Sequence, residues 1–542
     1  MADKAPNTEE PTAVLDDAHL GDIQGALGTI RLHDEAPRRS WRARLLTLLA
    51  IIGPGLIVMV GDNDAGGVAT YAQAGQNYGL SLLWTLPLLI PVLIVNHEMV
   101  VRLGAVCGVG HARLINERFG RFWGAFSVGD LFLLNFLTIV TEFIGVSLAL
   151  DYFGVSSTIS VPLAALGLVA MTASGSFRRW ERFMLLFIVA NFLVIPLAIY
   201  SHPHAGPVLR HFVIPGVAGG FNSTSVLLII AIVGTTVAPW QLFFQQSNIV
   251  DKRITPRWLN YERVDTVLGS LVTVLAASLI IITAAFAFGG TRQAGKFTNA
   301  GGVAHGLDHF LGNATGTLFA IILLNASIIG AAAVTLSTSY AFGDMFGMHH
   351  SLHRRFRDAK FFYASFTGIV ALAATIVLIP GAPLGLITTA VQALAGILLP
   401  SATVFLLLLC NDKAVLGPWV NRPWLNAVAS LIVSVLFVLS LILMTTTVFP
   451  HVNVGRLLVA MTTGLVLVLG GAGGLYVRAL VRRPATKVER AKRDTWRMPP
   501  LALLERPTWS RGRTFTMYAM YGYLFVAVAL LLVRAIQLGL HK

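Results

Sequence analysis

Charged residues are scarce in this chain. Only 12% of its 542 residues are charged and 55% are hydrophobic. A soluble globular domain carries about twice that charged fraction, so the composition excludes an ordinary soluble protein. We also expect no cleavable signal peptide, because the first 40 residues are polar and contain no short apolar core. Apolar segments of membrane-spanning length recur along the rest of the chain and predict a multi-pass membrane protein.

Cysteine is also rare. Cys107 and Cys410 lie far apart and have no pair spacing, so we expect neither a disulfide nor a cysteine metal site. The chain has no nucleophile elbow, no zinc motif and no large soluble domain, which argues against an enzyme. We therefore expect neither catalytic residues nor a cofactor.

Thirteen apolar segments are long enough to span a bilayer. Their approximate bounds are 45–73, 80–101, 122–150, 156–175, 183–201, 222–250, 264–289, 314–346, 361–380, 384–410, 424–448, 455–477 and 515–538. They leave a polar tail, 1–44, for which we expect partial disorder. A basic linker, 478–514, precedes a terminal helix in 515–542.

The charges are unevenly distributed between the two sides of the membrane. With thirteen crossings, 34 of the 40 Lys and Arg residues fall in the tail and in every second loop. This positive-inside pattern predicts a cytoplasmic N-terminus in the cell (inner or plasma) membrane. The linker holds 11 of these residues in 478–513, which suits contact with anionic lipid. No nucleic-acid-reading module accompanies the net charge of +14, so we expect no nucleic-acid partner.

Two aspartates, Asp62 and Asp64, interrupt the first apolar segment in the run Gly61-Asp62-Asn63-Asp64-Ala65-Gly66-Gly67. A carboxylate at membrane depth is costly and usually marks a functional site. The neighbouring glycines predict a helix break, which a membrane tolerates only inside protein or beside a watery cavity. Carboxylates together with freed carbonyls form an oxygen-rich site of the kind that binds a cation.

A second interruption follows about 170 residues later, in Gly234-Thr235-Thr236-Val237-Ala238-Pro239-Trp240-Gln241. Proline removes a backbone donor and clashes with the preceding turn. Alone it is equally consistent with a plain kink. Its place five helices after the first interruption favours two inverted repeats, 45–201 and 202–410, because paired broken helices point to a transporter binding site.

These segments resemble the NRAMP divalent-metal transporters. The similar stretches are Gly53–Gly67 in the first helix, Thr235–Trp240 in the sixth, Thr335–Ala341 in the eighth, Gln392 with Pro400 in the tenth, and Glu98–Leu103 with Glu117–Gly120 between the second and third. The resemblance covers roughly residues 45–410. It implies an all-α integral membrane protein with a leucine-transporter-type inverted repeat of 5+5 core helices. Additional C-terminal helices, beginning with 411–477, bring the expected total to 12–13 spans.

The resemblance also implies a metal site. Asp64 matches the family's metal-binding aspartate, and Thr235 matches a residue whose backbone carbonyl binds metal. Gly67 and Ala238 stand where the family has asparagine and methionine, so a side-chain oxygen and the soft sulfur are lost. Gln392 is the matched position on the tenth helix.

The remaining ligands are hard oxygens, which suit Mg, Ca and Mn, whereas a thioether favours softer metals. The 14 histidines fall in tails, loops or near predicted span ends, with His97 nearest to a core, so we expect no imidazole at the site. The missing side chains enlarge the pocket, and bound Mg²⁺ keeps several waters. We therefore predict a transporter of Mg²⁺ and also Mn²⁺, similar to the family's magnesium-transporting branch.

Proton coupling needs titrating groups along a path. Trp240 and Gln245 replace family histidines, and Asn135 and Glu142 replace Glu and Asp on the third helix. Glu142 either helps attract the hydrated cation or relays protons, and the lack of a continuing chain favours the first. Asp62 either joins the site or pairs with a helix N-terminus or an amide.

We expect alternating access without proton coupling. The alternatives are a proton-coupled Mn²⁺/Fe²⁺ transporter of the NRAMP type and an organic-cation or amino-acid carrier of the same fold. Two acids at the first break argue against a carrier for carboxylate-bearing solutes.

Overall fold

The computed structural model describes residues 17–34, 36–380, 384–449, 452–481, 493, 496–504, 514–515, 517–520, 522–523 and 525–526. Its helices and strands, in chain order, are β1 (Ile23–Gly25), β2 (Gly28–Ile30), α1 (Trp41–Ile51), α2 (Pro54–Val60), α3 (Ala65–Tyr78), α4 (Thr85–Cys107), α5 (His111–Phe119), α6 (Arg121–Asp151), α7 (Ser157–Thr172), α8 (Phe177–Asn191), α9 (Val194–Tyr200), α10 (Ala205–Val213), α11 (Ser223–Thr236), α12 (Pro239–Asp251), α13 (Leu259–Phe288), α14 (Ala300–Leu311), α15 (Asn313–Phe346), α16 (Lys360–Val377), α17 (Leu384–Cys410), α18 (Lys413–Leu416), α19 (Pro423–Val448) and α20 (Val454–Val481).

Ten spans in the described ranges are long and apolar enough to cross a membrane, and the bent pair α1–α2 makes up to eleven. The shorter apolar helix α7 occupies the fourth predicted crossing. Most of the linker 478–514 and of the predicted crossing 515–538 lies outside the described residues. The thirteenth crossing therefore stays a prediction.

The first span is divided into three helices, where the sequence predicts a single break. Gly53 separates α1 from α2 with a φ of 151°, a conformation that favours glycine, and Pro54 begins α2. The two helices meet at 54°. The second break, 61–64, ends where the side chain of Asp64 caps α3 by accepting a hydrogen bond from Gly67 N.

The sixth span breaks at the predicted proline. α11 ends at Thr236, Val237 has a non-helical backbone, and Pro239 begins α12. The side chain of Gln241 accepts a hydrogen bond from the backbone N of Ala238 at 3.0 Å, so it satisfies a donor that the break would orphan.

The broken spans pack against each other and share their neighbours. α3 contacts α11, and α2 contacts α12. α13 flanks α2 and α3, while α6 and α15 pack along one another beside α3. Glycine permits the close approach of α2 to α13, because a Cβ at Gly55 would lie 2.7 Å from the backbone N of Thr266. Both breaks are therefore enclosed by protein.

Two segments expected to be irregular are structured. The tail carries the antiparallel hairpin β1–β2, in which Ile23 pairs with Ile30 and both side chains are buried. The stretch 290–313, which separates the predicted crossings 264–289 and 314–346, contains α14. The hairpin packs against α1 and α8, and α14 packs against α15, α13 and α6, so tertiary contacts stabilise both segments.

Candidate functional site at the two helix breaks

Asp64 lies at the end of the first break, at the N-terminus of α3. Its Oδ1 accepts a hydrogen bond from Gly67 N at 2.7 Å, and the residue is 2% exposed. The positive end of the α3 dipole favours a carboxylate at this position. The Asp64 carboxyl also contacts the carboxyl of Glu142.

Thr235 lies directly across from this carboxylate. A Cβ built on Gly67 would lie 3.0 Å from Thr235 Oγ1 and 3.4 Å from Asp64 Oδ1, so the three residues meet at one point. Within the described residues, Thr235 Oγ1 has no hydrogen-bond partner. Glycine at position 67 leaves room between the carboxylate and the hydroxyl.

Glu142, on α6, closes the other side of Asp64. Its Oε2 accepts a hydrogen bond from Ala65 N at 3.0 Å, and its carboxyl lies beside that of Asp64. Its Oε1 has no hydrogen-bond partner in the described part of the chain. A Cβ at Gly330 would lie 2.6 Å from Glu142 Oε2 and 2.8 Å from Asp64 Cβ. Glycine at this position therefore allows α15 to pack directly against both acids.

Gln392 and Ala238 complete the set taken from the sequence. The Gln392 amide rests on Gly66, where any Cβ would overlap it, and its Nε2 is unpartnered among the described atoms. Ala238 is 4% exposed and lies three residues after Thr235, within the break of the sixth span. Alanine there leaves an apolar wall without a ligand atom.

Asp62 is placed differently from Asp64. It is fully buried, and neither carboxylate oxygen has a hydrogen-bond partner in the described residues. Its carboxyl faces the amide of Gln241 on α12. Asp64, not Asp62, caps the N-terminus of α3, so of the two structural alternatives for Asp62 the neighbouring amide, that of Gln241, agrees with its position. Asn63 between them donates to Thr273 O at 3.1 Å and anchors the break to α13.

Sequence reasoning missed two features of the interior. Tyr71 on α3 shares a 2.8 Å hydrogen bond with Thr236, which joins the two broken spans. His97 is fully buried inside α4 and hydrogen-bonded to Gln245, so the expectation that histidines keep to loops and span ends is wrong. The position of His97, nearest to a predicted core among the 14 histidines, was an available signal for the second feature.

At the two helix breaks, the described residues include buried acids but no basic side chain paired with them. No ion pair in the described ranges joins Asp62, Asp64 or Glu142 to a Lys, Arg or His. Nor do the described residues contain a cluster of three or more His, Cys, Asp or Glu arranged as a metal site. Buried carboxylates without a protein counter-charge need a proton or an external cation. The geometry therefore offers a few oxygen ligands, not a complete coordination shell.

A family model and several known proteins are similar to this chain. The family model "natural resistance-associated macrophage protein-like" (Nramp) matches residues 55–446. The divalent metal cation transporter MntH of Aeromonas hydrophila is 26% identical over 408 residues, which cover 71% of this chain and 93% of that protein. MntH of Bacillus subtilis is 25% identical, over 74% of this chain and 93% of its own length.

Two solved structures have the same architecture. A manganese transporter of Eremococcus coleocola matches with a TM-score of 0.61 at 20% identity, covering 81% of this chain and 97% of that one. MhsT, solved with L-phenylalanine, matches with a TM-score of 0.50 at 16% identity, covering 74% of this chain and 100% of that one. The leucine-transporter-type fold predicted from the sequence is confirmed. Because the family model spans most of this multi-pass membrane protein, the chain belongs to the Nramp family.

Proposed function

We propose that this protein transports divalent metal cations by alternating access, and that Mg²⁺ is preferred over Mn²⁺. The observation that carries the proposal is the buried group formed by Asp64, Glu142 and Thr235 where the two broken spans meet. A doubly charged ion would neutralise two adjacent carboxyls that lack a protein counter-charge. Asp64, Glu142 and Thr235 are all buried.

The relatives support the class of substrate. The MntH proteins are named divalent metal cation transporters, and the structural relative from Eremococcus coleocola is a manganese transporter. Divalent metal ions are therefore the substrate class that we propose here.

The donor set supports magnesium within that class. Ala238 and Gly67 contribute no ligand atom, while Asp64, Glu142 and Thr235 contribute oxygens only. Mg²⁺ dehydrates reluctantly and is usually held through one or two carboxylates with several waters retained. Two adjacent carboxyls, with room at Gly67 between the Asp64 carboxylate and the Thr235 hydroxyl, suit an ion that keeps some of its waters better than an ion that must be fully dehydrated.

Uptake into liposomes tests the proposal. Purified protein is reconstituted, and the uptake of Mg²⁺, Mn²⁺ and Ca²⁺ is compared with that of an Asp64→Ala variant. We expect Mg²⁺ uptake to exceed Mn²⁺ uptake at equal concentration and both to vanish in the variant. Uptake that persists in Asp64→Ala would place the site elsewhere. A strong preference for Mn²⁺ would refute the magnesium assignment alone.

We further propose that transport is not coupled to protons. Glu142 is not connected to a further proton-carrying group by a hydrogen bond from its Oε1, because that oxygen has no hydrogen-bond partner in the described chain. His97 is hydrogen-bonded to Gln245 on α12, and no ion pair in the described residues joins it to an acid. A pH dye inside the liposomes tests this directly. Acidification in step with metal uptake would favour the proton-coupled alternative.

The remaining proposals concern placement in the cell. We propose that residues 45–201 and 202–410 are the two repeats. We also propose that the protein lies in the plasma membrane with its N-terminus in the cytoplasm. The basic linker 478–514 would then contact anionic lipid. Cysteines introduced at the exposed positions Leu27 and Leu209 test the orientation. Only the second should react with an impermeant maleimide added to intact cells.

A further inference from the structure

A second charged cluster lies away from the metal site, at the joint between α1 and α2. Lys252 Nζ donates to the carbonyls of Ile51 at 2.6 Å and Ile52 at 3.0 Å, at the negative end of α1. Asp265 grips the other side of the joint. It accepts from the backbone N of Gly53 at 3.0 Å and of Gly55 at 2.7 Å. Opposite charges therefore hold the two helix ends together.

Glu181 connects this joint to the N-terminal hairpin. Its Oε1 accepts from Lys252 Nζ at 2.6 Å, and its Oε2 accepts from the backbone N of Ala26 at 2.5 Å. Glu181 and Lys252 are both fully buried. One carboxylate thus ties the tip of the hairpin to the cation that holds the joint.

Two arginines on α8 fasten the hairpin from outside. Arg178 Nε donates to Gly25 O at 3.1 Å, and Arg182 Nε donates to Ala26 O at 3.0 Å. The hairpin lies tightly on α1, because a Cβ at Gly25 would overlap the carbonyl of Ala50. Charged donors make these backbone contacts stronger than neutral ones.

The segment before the hairpin reaches the other repeat. Arg253, directly after Lys252, donates from Nε to Ala18 O and from Nη1 to Asp22 O, each at 3.0 Å. Residues 17–30 therefore touch α1, α8 and the connection that follows α12. Any movement of the joint relative to those elements has to break these contacts.

We propose that residues 17–30 form an autoinhibitory clasp that keeps the α1–α2 joint closed. Release of the clasp then opens the transport path on the side where the N-terminal tail lies. This inference rests on the proposed function only in assuming that a transport path exists. Closure of the joint by the hairpin does not depend on it. α2 is a seven-residue helix between two breaks, so it can move as a unit once the joint is free. The hairpin itself belongs to the tail and contributes no residue to the metal site.

Accessibility of a buried reporter tests the clasp without relying on transport. Ser270 on α13 is fully buried and faces Met59 of α2, so Ser270→Cys in a background lacking Cys107 and Cys410 reports opening behind α2. The probe is a water-soluble methanethiosulfonate added to the purified full-length protein. Gly25→Val dislodges the hairpin, whereas Leu27→Ser changes an exposed turn residue and is the matched control.

Release removes several hydrogen bonds to the hairpin, so we expect Gly25→Val to raise the modification rate about tenfold or more. Leu27→Ser should stay within about twofold. Arg178→Gln with Arg182→Gln, which leaves the hairpin sequence intact, should act in the same direction as Gly25→Val. Metal uptake by Gly25→Val should also rise.

Unchanged modification of Ser270→Cys in both loosened variants would overturn the clasp, provided that proteolysis shows a released tail. Lower thermal stability with unchanged modification would mean that the hairpin only supports the fold. Failure of the metal-transport proposal would appear instead as uptake that ignores Asp64→Ala, with the modification result unaffected.

Discussion

The first span contains two interruptions, and both gather buried acids. At the α1–α2 joint, Glu181 and Asp265 surround Lys252, whose ammonium donates to Glu181 and to the carbonyls of α1. At the inner break, Asp64 and Glu142 lie side by side with no ion pair among the described residues. The same helix thus has one break with its cation supplied by the chain and another without.

The difference separates a structural joint from a substrate site. A buried carboxylate with a fixed cationic partner is satisfied and resists movement. A buried carboxylate pair without one has to acquire a charge from outside. Glu262 adds a third acid at the joint, fully buried near Lys252. The joint therefore depends strongly on its single lysine, and the inner break depends on its ligand.

The largest expected effect comes from removing the charge at the inner break. Asp64→Asn keeps a side chain that caps α3 but removes the negative charge, so we expect metal uptake to be lost. Thermal stability in detergent should change little, by about 1 kcal/mol or less. Near-normal uptake would show that the cap matters and the charge does not, which would erase the contrast between the two breaks.

Removing the cation at the joint should chiefly affect stability. Lys252→Met leaves buried acids unpaired, which costs about 3–5 kcal/mol. Thermal unfolding of the detergent-solubilised protein measures the loss. Lys252→Met combined with Glu181→Gln should recover part of it, because the unpaired charge nearest the lysine is removed. An unaltered melting temperature for the single variant would contradict a charge-held joint.

Glu142→Gln should sharpen the account of the inner break. Glutamine retains an oxygen that can accept from Ala65 N, but the charge beside Asp64 is gone. We expect the apparent affinity for Mg²⁺ to fall about 10–100-fold while the maximal rate changes less. A normal affinity with an altered pH profile of uptake would instead identify a proton relay.

Ala238→Met should have the smallest effect, on selectivity alone. A thioether at the edge of the sixth-span break adds a soft ligand and removes space for water. Relative uptake should move from Mg²⁺ toward Mn²⁺ and Cd²⁺ in competition assays. If the ratios stay as in the unaltered protein, neither softness nor space at this position sets the preference.

The break at 61–64 in the first span and the break at 237–238 in the sixth span could both be predicted from the sequence, because glycine, proline and intramembrane acids change backbone energetics locally. The pairing of Asp64 with Thr235 was also expected, from the resemblance and the repeat spacing. The joint at Gly53 was not, because Gly-Pro at a helix start reads as an ordinary N-terminus. Its significance depends on Lys252 and Asp265, about 200 residues away.

The membrane class, the order of the spans and the positions of the interrupted helices follow from the amino-acid sequence, since hydrophobicity and helix-breaking residues act over short range. Tertiary structure alone decided which acids receive a cation. Asp62, Asp64, Glu181 and Asp265 are all carboxylates within or against the same span, and only long-range packing brings Lys252 to two of them. The charge balance of a buried site is set by neighbours in space, not by neighbours in the chain.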